Sequence, residues 1–164
     1  MCSVPCAFYY LHRNAFAPGI ASPAFRIDTT HRPRFNLLRI EEDLSATHLR
    51  LQNVFIENRP YDDVVRRFDR PHTLFYLDPP YYGCENYYGK GIFSRADFAK
   101  LAELLAGIKG KFIMSINDNN EIRKLFGAFN IRRVSTRYSV GKARQKPVKE
   151  LLITNYQTRR SGGA

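Results

Sequence analysis

Cysteine is scarce in this 164-residue chain, which carries Cys2, Cys6 and Cys84 and no CxxC pair. Cys2, Cys6 and His12 could act as ligands, but no fourth residue follows at a zinc spacing. An odd number of unpaired thiols also argues against a disulfide-stapled secreted fold and fits a reducing compartment. Long apolar runs are absent as well. None approaches the ~18 residues of a membrane-spanning helix, and the opening "MCSVPCAFYYLHRN" lacks the apolar core of a signal peptide. The expectation is a cytoplasmic protein with no membrane partner. There is no internal repeat, and the four histidines share no motif spacing. With 44% hydrophobic residues the chain is long enough for one domain with a real core.

Acid is the other deficit. The net charge is +11 and the sequence pI about 9.8. Residues 1–72 hold ten Lys/Arg against eight Asp/Glu, whereas residues 73–164 hold sixteen against seven. From Arg132 to Lys149 there are seven basic residues and no acid. Such a segment favours a polyanionic partner, most often nucleic acid; a solvated surface or a tail is the plainer alternative.

Residues 8–35 are first aromatic and basic, then rich in Pro, Ser, Thr and Arg, and read as an extended loop. "NLLRIEEDLSATHLRL" (36–51) predicts two short helices, the second beginning near Ser45. "NVFIEN" (53–58) alternates and predicts a strand, and "PYDDVVRRF" (60–68) a helix with Asp62 and Asp63 early. "FSRADFAKLAELLAGIKG" (93–110) is the clearest helix, with Ser94 and Asp97 at capping-box spacing. A buried strand is expected at 111–117, a short helix at 119–129, and strands at 131–140 and 150–156 around the basic loop 141–149. Asp118 suits a helix start better than an active site. After residue 53 the order is β-α-β-α-β-α-β-β, an α/β sheet closing on a hairpin with one antiparallel strand.

The stretch "TLFYLDPPYYG" (73–83) carries the chemistry. Thr73 to Leu77 predict a strand buried on both faces, stopped by two prolines that cannot donate to a ladder. Asp78 therefore sits at a strand's carboxyl end, where open α/β sheets bind ligands. Asp78 as a simple turn-former is the plainer reading. The arrangement suits methylation of an aromatic exocyclic amine, whose lone pair is delocalised into the ring. Asp78 and the Pro79 carbonyl can accept its two N–H groups and aim the lone pair at an electrophilic methyl. Pro80 stiffens the turn, and Tyr81 offers a face for a planar base.

The segments "TLFYLDPPYYG", "FSRADFAKLAELLAGIKGKFIMSINDNNEIRKLF" (93–126) and "ELLITNY" (150–156) resemble the adenine-specific DNA methyltransferases of the Dam-like, phage and prophage type, the D12 class. With "YYLHRNAF" and "RFNLLRIEEDLSATHLRLQNVFIEN" upstream, the resemblance covers roughly residues 8–156. "QTRRSGGA" (157–164) itself reads as a frayed tail. The resemblance implies a Rossmann-like, S-adenosylmethionine-dependent sheet over 53–156 and a target-recognition segment over 1–52. It implies double-stranded DNA as partner, with Asp78, Pro79, Pro80 and Tyr81 catalytic. Asp78, Glu57 and Asn58 would stand near the cofactor. Arg13, Arg32, Arg34, Tyr87, Lys142, Arg144, Lys146 and Lys149 would face DNA.

In one respect the chain departs from that pattern. The family carries a glycine-rich F-x-G-x-G turn after its first strand, and nothing here matches it. Gly89-Lys90-Gly91 follows a tyrosine-rich loop rather than a strand and reads as a loop. The expectation is an incomplete sheet: a truncated prophage product, or one part of a split enzyme whose N-terminal fragment acts in trans. A catalytically silent DNA-binding remnant is the alternative.

Overall fold

The computed structural model describes residues 8–10, 36–136 and 148–157. The chain divides into two compact units, Met1–Asn58 and Arg59–Ala164.

In the first unit, residues 8–10 are helical, where an extended loop was expected; residues 11–35 lie outside the described residues. A 3₁₀ turn, Leu37–Arg39, leads straight into helix α1, Ile40–Leu51. The Asn36 carboxamide opens the turn by accepting from the Leu38 N–H at 3.0 Å. One continuous helix replaces the two expected. Nothing at Ser45 interrupts the i→i−4 ladder, and Thr47 bonds back to the Asp43 carbonyl at 2.7 Å without leaving helical geometry. Glu41, Glu42 and Asp43 in the first turn, with His48 and Arg50 in the last, complement the helix dipole. The strand expected at 53–58 is not formed. Alternation needs a partner strand, and none of the described residues pairs with these; Phe55 is 91% and Ile56 80% exposed.

The second unit is built on a mixed four-stranded sheet. Helix α2 (Tyr61–Phe68) precedes β1 (Leu74–Leu77), then come α3 (Arg95–Ala106), β2 (Lys111–Asn117) and α4 (Asn120–Leu125). β3 (Asn130–Thr136) and β4 (Val148–Thr154) close the chain, and the spatial order is β1-β2-β4-β3. β1 and β2 are parallel, and β4 runs antiparallel to both β2 and β3. This is the Rossmann-like α/β arrangement expected, in partial form, with a hairpin and one antiparallel strand.

Strand alternation sorts the sheet into two faces. Phe112, Met114, Ile116, Leu151 and Ile153 pack with Phe98, Leu101 and Leu105 of α3 and with Ile122 and Phe126 in and after α4. The rings of Phe93 and Phe98 meet edge-on at 4.9 Å, and those of Phe112 and Phe129 at 5.1 Å. β1 corrects the expectation of a strand buried on both faces. Among the described residues it is an edge strand: Phe75 and Leu77 face the core, while Leu74 and Tyr76 are 58% and 67% exposed. An uninterrupted apolar run does not distinguish a central strand from an edge with one open face.

Helix α3 starts as its spacing predicts. The Ser94 hydroxyl and N–H both donate to Asp97, at 2.7 and 2.8 Å, and the Asp97 N–H bonds the Ser94 carbonyl. α4 is capped by Asn119, whose side chain accepts from the Glu121 N–H at 2.8 Å. Asp69, between α2 and β1, ties that connection to the one between α3 and β2 by accepting from the N–H groups of Lys109 and Gly110. Gly110 is required there, because a Cβ would stand 2.8 Å from the Thr73 carbonyl.

Candidate active site

Asp78 follows β1 directly, at the carboxyl end of the parallel pair β1/β2. The register ends at Leu77↔Met114, so the next residues along, Asp78 and Ser115, fall opposite one another on the same face. The buried Ser115 hydroxyl donates to Asp78 Oδ1 at 3.2 Å. It also lies 3.1 Å from the Tyr76 hydroxyl. A serine has one proton to give. Since that proton goes to the carboxylate, Tyr76 must be the donor to Ser115. The chain Tyr76→Ser115→Asp78 engages one carboxylate oxygen, Oδ1.

Pro79 is half-buried and Pro80 buried. Neither has an N–H, so the backbone ladder cannot continue through them. The chain is gripped again at Tyr82, whose N–H donates to Asn117 Oδ1 at 2.9 Å and whose carbonyl accepts from Asn117 Nδ2 at 3.1 Å.

The paired tyrosines go opposite ways. Tyr82 packs its ring against Phe98 at 5.5 Å, with the Arg95 guanidinium 5.2 Å from the ring centre, anchoring the loop to α3. Tyr81 turns toward the sheet and donates its phenol proton to Glu150 Oε1 at 2.5 Å. Glu150 can reach it because β4 is antiparallel: its amino end pairs with the carboxyl end of β2, Asn117↔Glu150. Beyond the tyrosines the Gly83 N–H donates to Glu85, which also pairs with Arg95 at 3.3 Å. These bonds, the Gly83 N–H first, hold the Glu85 carboxyl below its ordinary range.

Asp118 is occupied elsewhere. Arg123 at 2.7 Å and Arg133 at 2.9 Å take its two oxygens, and the Arg123 bond above all keeps its carboxyl low. The residue that starts α4 is its neighbour Asn119. Gly89 and Gly91 have φ of 129° and 79°, and they form a turn after a 3₁₀ segment, Glu85–Tyr88, not after a strand. Among the described residues no group of three His, Cys, Asp or Glu could hold a metal, and no helix is long and apolar enough to cross a membrane.

Of the residues singled out in the sequence, the structure gathers Asp78, Pro79, Pro80 and Tyr81 at one sheet edge. Lys149 is exposed in β4, one residue from Glu150. Glu57 and Asn58 belong to the first unit and are exposed. Tyr87 lies in the 3₁₀ segment, with its side chain outside the described residues; Arg13, Arg32, Arg34, Lys142, Arg144 and Lys146 also lie outside them. Sequence reasoning missed Ser115, Asn117 and Glu150. The available signal was polarity at the ends of apolar strands: "KFIMSIN" turns polar at Ser115 and Asn117, and "ELLIT" opens on an acid.

A family model described as D12 class N6 adenine-specific DNA methyltransferase matches residues 24–140, more than two thirds of the chain. No curated protein matches it.

Proposed function

The chain belongs to the D12 class N6 adenine-specific DNA methyltransferase family, and from that premise we propose that its second unit carries the amine-binding side of an adenine-methylating centre. The observation that supports this is the placement of Asp78-Pro79-Pro80-Tyr81 at the carboxyl end of β1, with one Asp78 oxygen already engaged by Ser115. The other Asp78 oxygen and the Pro79 carbonyl accept the two N–H groups of the target amine. Its lone pair is then directed out of the ring plane. As the nitrogen takes a methyl group it develops positive charge, which the Asp78 carboxylate stabilises without covalent chemistry, and the same carboxylate can accept the N–H proton the nitrogen then loses. The Tyr81 ring stacks on the extruded base, a contact worth ~1–3 kcal/mol.

S-adenosylmethionine, when bound, supplies the electrophilic methyl. The described residues fit one side of it only. Asp78 stands at the sheet edge, and Glu57 and Asn58 are candidates for its adenine end. Among the described residues the positive-φ glycines Gly83, Gly89 and Gly91 all lie downstream of the Pro-Pro turn, and none opens a helix after a strand to admit the methionine portion. We assign that portion to a segment outside these 164 residues, joined to this chain or acting in trans. The first unit and the basic residues Arg13, Arg32, Arg34, Lys142, Arg144, Lys146 and Lys149, with Tyr87, are assigned to duplex DNA.

The test is methyl transfer from labelled S-adenosylmethionine to unmethylated duplex DNA. It is run with the chain alone and with the polypeptide encoded immediately upstream, alongside cofactor titration calorimetry. Transfer is expected only in the second case, and Asp78→Ala should cost at least ~10²-fold, by analogy with losing one oriented oxyanion-hole donor. Micromolar cofactor binding by the chain alone would overturn the assignment of an incomplete pocket. An unchanged rate in Asp78→Ala would overturn the role of Asp78. DNA binding without transfer in either mixture would favour the silent DNA-binding remnant.

A further inference from the structure

We propose that Asn117 is a positioning residue for the Asp78–Tyr81 loop: its carboxamide stands in for the backbone ladder that the two prolines interrupt. This rests on the reading of that loop as the amine-binding one. The β1/β2 ladder ends at Leu77↔Met114, and the next two prolines offer no donors. Tyr82 is the first downstream residue tied to β2. Both its N–H and its carbonyl pair with the single side chain of Asn117, at 2.9 and 3.1 Å. The loop is thus an arch with two fixed ends. Leu77 is held by strand pairing and Tyr82 by a side chain projecting from the last residue of β2. Between them Ser115 and Glu150 orient the two functional side chains.

An amide is the side chain this task requires, because it presents one acceptor and one donor in a plane, as a peptide unit does. The molecule uses the same device at the opposite end of β2. There Asn155 accepts from the Phe112 N–H at 3.0 Å and donates to the Gly110 carbonyl at 2.9 Å. That end carries none of the residues assigned to the site, which makes Asn155 the internal control.

The experiment is residue-resolved amide hydrogen exchange by NMR on the full chain. It compares wild type with Asn117→Ala, Asn117→Asp and Asn155→Ala, with rates divided by their intrinsic values at each pH. In Asn117→Ala, Tyr82 should lose ~10-fold or more protection while the Met114 and Ile116 amides change by less than ~3-fold, the pattern of local rather than global opening. Asn155→Ala should release Phe112 and leave Tyr82 unchanged. Asn117→Asp supplies a readout that a merely space-filling role would not move. As a carboxylate it still accepts from Tyr82 N–H but repels the Tyr82 carbonyl. Protonated, below about pH 4, it presents an acceptor and a donor like the amide it replaced. Tyr82 protection in this variant should therefore rise as pH falls from 6.5 to 3.5, while the wild-type value stays level.

An unprotected Tyr82 amide in the wild type, no change in Asn117→Ala, or a flat pH profile in Asn117→Asp would each overturn the proposal. If Asn117→Ala fails to fold, the near-isosteric Asn117→Asp profile decides alone. Should Asp78→Ala leave methyl transfer unchanged while this exchange pattern holds, the clamp stands and only the chemistry assigned to the loop falls.

Discussion

The hydrogen bond from Tyr81 to Glu150 makes a quantitative claim about the loop. At 2.5 Å it lies at the short end for a phenol donating to a carboxylate. Hydrogen bonds to charged groups contribute ~1.5–3 kcal/mol. Both residues are only half-buried, so water competes for each partner, and a pairwise coupling of ~1–1.5 kcal/mol is the reasonable expectation. A double-mutant cycle of Tyr81→Phe, Glu150→Ala and the double variant isolates that coupling from the other contacts each side chain makes. Tyr81→Phe keeps the ring, so the packing volume and the stacking face survive. The chain has no tryptophan, and urea unfolding can be followed through its tyrosines by near-ultraviolet circular dichroism. With a urea slope of ~1–3 kcal/mol/M, each single variant should lower the midpoint by ~0.5–1 M. The double variant should fall little further than the worse single one. Strictly additive losses, with coupling below ~0.3 kcal/mol, would show that the bond does not form in solution and that the Tyr81 ring is not held by β4.

Ser94→Ala removes a hydroxyl bond at the start of α3 and should cost ~1 kcal/mol, lowering Tm by ~2–4 °C for a chain of this size. The same cap sets an acid limit. Lys100 first, then Ser94, pull the Asp97 carboxyl from 3.8 down to about 2. Its folded value lies below its unfolded one, so its contribution is complete above pH ~4 and disappears as pH falls through about 2. Asp118, lowered chiefly by Arg123, loses its contribution in the same direction. Thermal melts across pH 2–5 should show this decline, reduced in Ser94→Ala. Neutralising Lys142, Arg144, Lys146 and Lys149 together should lower the slope of log affinity for duplex DNA against log salt by ~3–4. An unchanged slope would show that these residues are solvated surface.

The helices and strands most legible in the sequence were those whose signals are local. The Ser94/Asp97 spacing marked α3 because a capping box is complete within four residues. The apolar run of β2 and the Pro-Pro stop after β1 were legible for the same reason. Residues 53–58 misled because alternation reports the capacity to pair, whereas a strand exists only where another strand accepts it. Ser45 misled because a capping residue is equally comfortable inside a helix whose ladder is unbroken. The site divided the same way. Asp78 through Tyr81 are contiguous and were readable. Ser115 reaches Asp78 from 37 positions away, Glu150 reaches Tyr81 from 69, and Asn117 reaches the adjoining Tyr82 from 35. Those contacts are set by sheet order and register, which no local pattern encodes.

The antiparallel direction of β4 has the largest consequence for the site. Were β4 parallel to its neighbours, its carboxyl end, Thr154 and Asn155, would stand beside Asn117, and no acid would reach Tyr81. Reversal brings Glu150 there instead, paired across from Asn117. It also fixes where the basic stretch is tethered. β3 runs parallel to β2 through their shared neighbour, so Thr136 ends at the same sheet edge as Asn117, and Val148 begins there, paired with Thr136. Whatever path residues 137–147 take, both their attachment points lie at the end of the sheet that carries Asp78. The acidic side chain that holds the Tyr81 ring is thus preceded in the chain by Lys149, Lys146, Arg144 and Lys142. If the proposed DNA contacts of that stretch hold, a phosphate backbone bound there is brought to the end of the sheet that carries Asp78. The hairpin that closes the sheet thus brings Glu150, which holds Tyr81, and both tethers of the basic stretch to one end of the sheet. Lengthening the 137–147 connection should weaken DNA capture without disturbing the Tyr81 bond, because β3–β4 register and Asn117↔Glu150 pairing do not depend on its length.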